Sequence, residues 1–202
     1  MDLVEQKIHQ KTKAKYKMGF LKKSCIFIVI ITIMGYLVWE NDDFQRKFLY
    51  PYPYKSTVSF YADRYKLDES LVAGLILAES KFKPEAISPH GAIGLMQIMP
   101  ETATWIAHQI EDESFSIDKL SMTKINIKYG TWYLASLKEE FDDNDVLALA
   151  AYNAGRGNVH EWIEEYGWDR DFSDYNQIPF PETRAYVKQV LENQKQYHSL
   201  YK

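Results

Sequence analysis

The chain has 202 residues, 46% of them apolar, and a formal net charge of −4, which suits one domain with a sizeable core plus an accessory segment. The charge is unevenly split: residues 1–39 hold seven Lys and two acids, whereas residues 40–202 hold 17 Lys and Arg against 26 Asp and Glu. An acidic body counts against nucleic acid as a partner, and the single cysteine, Cys25, excludes an intrachain disulfide.

Residues 1–23 are polar and lysine-rich, and Ser24 to Trp39 then runs without a charge. As a helix this run spans about 24 Å at ~1.5 Å per residue, slightly short of the roughly 30 Å hydrocarbon core. Snorkelling of Lys22 and Lys23 makes up the difference. A cleaved signal peptide needs a small-residue site after the run, and Tyr36-Leu37-Val38-Trp39-Glu40 offers none. A buried core helix is not normally apolar on all faces behind a cluster of lysines. The expectation is a single transmembrane anchor over 24–39, with residues 1–23 cytoplasmic and the rest extracytoplasmic.

Residues 40–55 form a connector, because Pro51-Tyr52-Pro53-Tyr54 disfavours helix. From Thr57 the pattern turns helical. Val58 to Tyr65 is a first amphipathic helix. Asp68 caps a second, which Pro84 stops. Ile87 to Met99 is an irregular loop, and Pro100 opens the next helix with Glu101 in its first turn. Glu111 to Asp118 is acidic loop and Thr123 to Glu140 is helix. Asp145 is placed to cap the apolar run to Ala154, which Gly155 ends. A short helix covers Val159 to Tyr166, Asp169 to Phe180 is loop, and Pro181 starts a last helix to about Tyr201. No strand-like alternation occurs, so residues 56–202 are expected to form one all-α domain.

One stretch stands out. Leu71, Val72, Leu75 and Ile76 make an apolar helix face, and Glu79 falls where that face predicts another apolar residue. Burial raises a carboxyl pKa. Glu79 is therefore a structural device or a general acid that holds its proton near neutral pH, unless it turns to solvent or pairs with Lys81 or Lys83.

Other chemistries are set aside. His160-Glu161-Trp162-Ile163-Glu164 lacks the second His of a zinc-protease helix, Gly155-Arg156-Gly157 is too short for a phosphate loop, and no serine sits in a Gly-x-Ser-x-Gly elbow. No metal or organic cofactor is implied. Three segments accompany Glu79. Gly91-Ala92-Ile93-Gly94-Leu95-Met96-Gln97 combines glycines, which let backbone approach a ligand, with a two-way amide. Ala151-Tyr152-Asn153-Ala154-Gly155 ends an apolar helix in two polar side chains. In Pro181 to Tyr186, Glu182 and Tyr186 share a helix face. Each segment, taken alone, also reads as an ordinary turn, helix end or first-turn acid.

Glu79-Ser80, Gly91 to Pro100, Ala151 to Gly155 and Glu182 to Val187, in this order, closely resemble the soluble lytic transglycosylase domain of bacteria. Asn126-Ile127, Gly130 and Tyr133-Leu134 resemble that family's middle helix. The resemblance implies a goose-lysozyme-like all-α fold with a saccharide groove. It implies peptidoglycan glycan strands as substrate, cut at the β-1,4 bond from N-acetylmuramic acid to N-acetylglucosamine with formation of 1,6-anhydromuramoyl ends. By the same resemblance Glu79 is the catalytic residue and Tyr152 hydrogen-bonds it. Ser80, Gly94, Met96, Gln97 and Asn153 line the groove, and Glu182 and Tyr186 sit across from the acid. Lys83-Pro84-Glu85 departs from the usual pattern, with Glu where such domains often carry Asn or Asp. Between Ser88 and Pro100 there is no Asp or Glu to serve as a second carboxylate, which favours a transglycosylase over a two-carboxylate hydrolytic muramidase. A catalytically idle wall-binding or scaffold module is the alternative of a different class.

Overall fold

A computed structural model describes Asp2 and residues 27–202. The chain divides into two compact units, residues 1–49 and Tyr50–Lys202. In the first, residues 27–39 are helical and exposed throughout, followed by helical turns at Asp42–Phe44 and Gln45–Leu49. Asn41 caps the first of these turns through its side chain, which accepts from the Phe44 N–H. The connector expected over 40–55 is therefore largely helical up to Leu49. Among the described residues no helix is long and apolar enough to cross a membrane, and Ser24, Cys25 and Ile26 of the expected anchor lie outside the described residues.

The second unit begins at Tyr50, inside the stretch read as connector. Its Pro-Tyr-Pro-Tyr segment is non-helical, as the prolines favour, and turns at Pro53-Tyr54 into the first helix, but it is a packing element. Tyr197 donates to the Pro51 carbonyl at 2.7 Å and Tyr201 to that of Tyr50 at 2.8 Å, while the Tyr52 ring meets Phe82, Tyr197 and Tyr201 edge-on. Seven helices follow: α1 (Lys55–Arg64), α2 (Glu69–Ser80), α3 (Pro100–Gln109), α4 (Thr123–Glu140), α5 (Asp145–Ala154), α6 (Arg156–Tyr166) and α7 (Pro181–Tyr201). Among the described residues no strand forms, only isolated bridges from Ile93 to Ile87 and Ile98. The fold is all-α, as expected.

Two caps differ in detail from the sequence reading. Asp68 does cap α2, accepting from the Ser70 and Leu71 N–H groups. At α5, however, Asn144 is the cap, accepting from Leu147 N–H, and Asp145 is the first helical residue. Asn144 also donates to the carbonyls of Arg170 and Phe172, a long-range use that local spacing does not disclose. Helix α2 ends at Ser80, before Pro84, because Lys81 and Phe82 both take left-handed backbone.

The larger difference concerns amphipathicity. In α2 every residue from Ser70 to Ile76 is buried, and in α5 every residue from Val146 to Ala151. These are central helices, apolar all round, with the others wrapped about them. α2 packs above all against α7, and Gly74 makes the approach possible. A Cβ there would lie 2.8 Å from the Gln194 nitrogen and 3.0 Å from the Val190 carbonyl oxygen. Asn193 Nδ2 donates to the Gly74 carbonyl at 3.1 Å at the same crossing. Gly74→Val is expected to force α2 and α7 apart and to lower stability by about 1–3 kcal/mol, read by chemical denaturation. An unchanged unfolding midpoint would show that the crossing has slack.

Candidate active site

Glu79 sits in the last turn of α2, half-buried. Tyr186 on α7 donates its hydroxyl to Glu79 Oε1 at 2.7 Å. Removal from water pushes the Glu79 pKa up to about 7, against the smaller lowering effect of the Tyr186 hydrogen bond. Burial, and then the charge of Glu79, hold both the Tyr186 and Tyr152 hydroxyls well above their usual pKa, so both stay neutral donors. The site thus contains one carboxyl able to exist in either protonation state near neutral pH, ringed by groups that do not titrate there.

The two tyrosines exchange the roles expected of them. Tyr152 does not hydrogen-bond Glu79. Its hydroxyl donates to the Met96 carbonyl at 2.8 Å, and its proximity to the acid is felt through charge alone. The direct partner is Tyr186, which the sequence reading set only across from the acid. Glu182, one turn earlier on α7, is exposed.

The Gly91–Gln97 segment is fixed on three sides. Ser80 Oγ donates to the Leu95 carbonyl at 2.8 Å, Tyr152 holds the Met96 carbonyl, and buried Asn126 of α4 accepts from Met96 N–H at 2.8 Å while donating to Ile93 O and Leu120 O. Gly94 is buried with φ of +82°, and a Cβ there would meet the Asn126 amide at 2.3 Å. Met96 is fully buried against Gly130 of α4, where a Cβ would meet its sulfur at 2.5 Å. Ser80, Gly94 and Met96 therefore build the loop from inside. Gln97 takes left-handed backbone and donates from Nε2 to Gly94 O at 2.8 Å and Ala86 O at 3.1 Å, which stiffens the turn.

Gln97, Tyr152 and Asn153 do face a common space. They line a cleft of about 260 Å³ with Met99, Thr102 and Tyr133. Asn153 is exposed, and its Oδ1 accepts from Thr183 Oγ1 at 2.8 Å, tying the end of α5 to the start of α7. Tyr133 packs its ring 5.4 Å from that of Tyr152. The sequence reading placed Tyr133 only in a middle helix and gave Thr183 no role. No spacing rule marks either residue, since helix packing alone brings Tyr133 to the cleft and the buried Thr183 hydroxyl to Asn153. Glu85 and Glu101, the acids flanking the loop, are both exposed.

Chemically, the arrangement supplies a proton donor of near-neutral pKa next to Tyr152, which with Tyr133, Gln97 and Asn153 gives an open cleft its aromatic and amide walls. Such a group suits general acid and then general base work. Tyr186→Phe removes the hydrogen bond that favours the charged carboxylate, so Glu79 should titrate above 7. Carboxyl carbon NMR titration would read the shift, and an unchanged or lower value would mean that Tyr186 does not tune the acid.

Residues 56–174 match the family model for the transglycosylase SLT domain, and residues 177–202 match that for the soluble lytic transglycosylase helical domain. The soluble lytic murein transglycosylase of Escherichia coli K12 is 36% identical over 162 residues, covering 79% of this chain and 24% of the relative. The membrane-bound lytic murein transglycosylase C of Haemophilus ducreyi is 32% identical over 160 residues, covering 67% of this chain and 43% of that protein. Among solved structures, lytic transglycosylase Slt of Pseudomonas aeruginosa, an inactive mutant with one glutamate replaced by glutamine, aligns with a TM-score of 0.69 at 31% identity, covering 86% of this chain and 28% of that one. The chain thus spans about a quarter of the soluble relatives' length.

Proposed function

This chain belongs to the transglycosylase SLT domain family, and we propose that it is a peptidoglycan lytic transglycosylase in which Glu79 is the one titrating catalytic group. The observation that carries the reading is the half-buried Glu79 carboxyl, with its pKa pushed up to about 7 and Tyr186 on Oε1. The inactive glutamate-to-glutamine mutant of the Pseudomonas relative supports a glutamate as the essential group in the family.

Protonated Glu79 donates to the glycosidic oxygen as the bond from muramic acid C1 to that oxygen breaks, and N-acetylglucosamine leaves with a free 4-hydroxyl. The 6-hydroxyl oxygen of the same muramoyl residue then bonds to C1, and the Glu79 carboxylate takes the hydroxyl proton. One proton is given and one recovered, no water is consumed, and the product ends in a 1,6-anhydro ring. An internal nucleophile makes a second carboxylate unnecessary, which fits a loop without Asp or Glu from Ser88 to Pro100. Tyr186 holds the carboxyl in place, and Gln97, Tyr152 and Asn153 orient the glycan along the cleft. Ser80, Gly94 and Met96 act through the loop they fix.

Glu79→Gln should lower turnover by at least about 10²–10⁴-fold while the fold survives. Mass spectrometry of wild-type digests of peptidoglycan should find anhydromuramoyl ends. Reducing muramic ends would mean a hydrolytic muramidase, and no cleavage at all would mean a wall-binding module. Turnover should fall as pH rises through about 7, because the raised pKa leaves the acid form populated below that value and depleted above it.

The same reading places the enzyme at the cell membrane. The charge-free run 24–39 follows seven lysines, residues 27–39 are helical with their apolar side chains exposed, and the Haemophilus relative is named as membrane-bound. Residues 1–23 would stay in the cytoplasm and the body would face the wall. The full chain should sediment with bacterial membranes and resist alkaline extraction, whereas residues 40–202 should remain in the supernatant. Equal partitioning of both would remove the anchor.

A further inference from the structure

Beyond Tyr133 the cleft continues into a second space of about 340 Å³, lined by Glu101, Thr102, Trp105, Tyr133 and Arg156. Thr102 and Tyr133 wall both spaces, so the two adjoin. Trp105, on α3, keeps 36% of its surface exposed, a large value for an indole on a folded body. It is nonetheless held firmly. Its ring lies 5.7 Å from Trp132 and 6.1 Å, edge-on, from Tyr133, and the Arg156 guanidinium sits 5.7 Å from its centroid. An aromatic path therefore leads from the acid outward through Tyr152 and Tyr133 to Trp105.

Arg156 is itself fixed. It is the first residue of α6, directly after Gly155, whose φ of +89° makes the sharp turn from α5. Glu140 at the end of α4 binds it twice, Nη2 to Oε2 at 2.9 Å and Nε to Oε1 at 3.1 Å, and His160 also meets Glu140 Oε1 at 2.6 Å. The pairing has two consequences. It orients the guanidinium over the indole through two hydrogen bonds, and it offsets the positive charge. With Glu101 also in the wall, the cleft is not an anion site. The wall combines apolar ring surface with fixed polar groups of little net charge, which suits a neutral sugar with its C–H face on an aromatic ring and its hydroxyl and acetamido groups at the polar rim.

We infer that Trp105, braced by Arg156 and Tyr133, is a distal platform for an uncharged N-acetylated pyranose of the same glycan strand. It stacks on that sugar and sets a preference for longer strands. The inference rests on the glycan-cleaving reading of Glu79. Trp105 is a binding residue here and takes no part in bond cleavage.

The test compares turnover of a short and a long peptidoglycan glycan oligomer by the full chain, with Trp105→Ala and Trp105→Phe. A short oligomer that is cut must occupy the Glu79 end, and the short member of the pair is the shortest oligomer that wild type still cuts. Trp105→Ala should lower kcat/KM for the long oligomer about tenfold, through KM, and leave the short one unchanged. Trp105→Phe should recover most of the loss. Equal loss on both lengths, or none on either, overturns the platform. So does a loss seen only when the distal sugar carries its acidic peptide stem. A parallel binding titration in the Glu79→Gln background separates the two claims. If wild type makes no product while the long oligomer's affinity advantage still depends on Trp105, the catalytic reading fails and the platform stands.

Discussion

The close crossing of α2 and α7 at Gly74 is the constraint from which the site follows. With no side chain at Gly74, the α7 backbone comes within contact distance of α2. That distance fixes the registration of the two helices. Asn193 secures it by donating to the Gly74 carbonyl. One and a half turns along α2 from Gly74 stands Glu79, and back along α7 stands Tyr186, so their 2.7 Å hydrogen bond reads out a crossing made elsewhere. The same packing removes water from Glu79. Proton affinity and orientation of the acid thus share one origin, a backbone-to-backbone approach deep in the core.

The second support is the loop from Gly91 to Gln97. Loops ordinarily expose their backbone to water. Here Ser80, Tyr152 and Asn126 take up the carbonyls of Leu95, Met96 and Ile93 from three helices. Met96 then fills the notch at Gly130. A loop bound this way behaves as part of the core, so one wall of the cleft is rigid before any ligand arrives. Pre-organisation of this kind lowers the conformational entropy that binding must otherwise overcome. The last helix contributes as well: α7 brings the Tyr186 hydroxyl to Glu79 and the Thr183 hydroxyl to Asn153.

Much of this was legible in the residues themselves. Helix α4 has the limits that its apolar spacing indicates, and helix α7 starts at Pro181 as that proline indicates. Asp68 caps α2, and the all-α class follows from the absence of alternation. Glu79 is conspicuous because a carboxylate interrupts an apolar run. The run's excess of apolar residues also signals that α2 is central, although reading it as a single face understated its burial. The packing role of Pro-Tyr-Pro-Tyr is not legible, because its prolines show only that the segment is not helical. Which surface those tyrosines meet depends on α7, some 150 residues later.

By itself, then, the sequence determined the helices and the anomaly of a carboxylate, Glu79, on an apolar run, because period, capping and the cost of a buried charge act over a few residues. Only the tertiary structure decided which tyrosine touches Glu79, which polar side chains turn inward to hold the loop, and that Trp105 and Arg156 meet beyond Tyr133. Those outcomes depend on distances between helices far apart in the chain, and a single missing Cβ at Gly74 or Gly130 sets such distances where no local spacing reveals them. The oddity of a carboxylate on an apolar helix is resolved in the same way: burial raises its proton affinity, and the Tyr186 hydroxyl from the far end of the chain holds it in place.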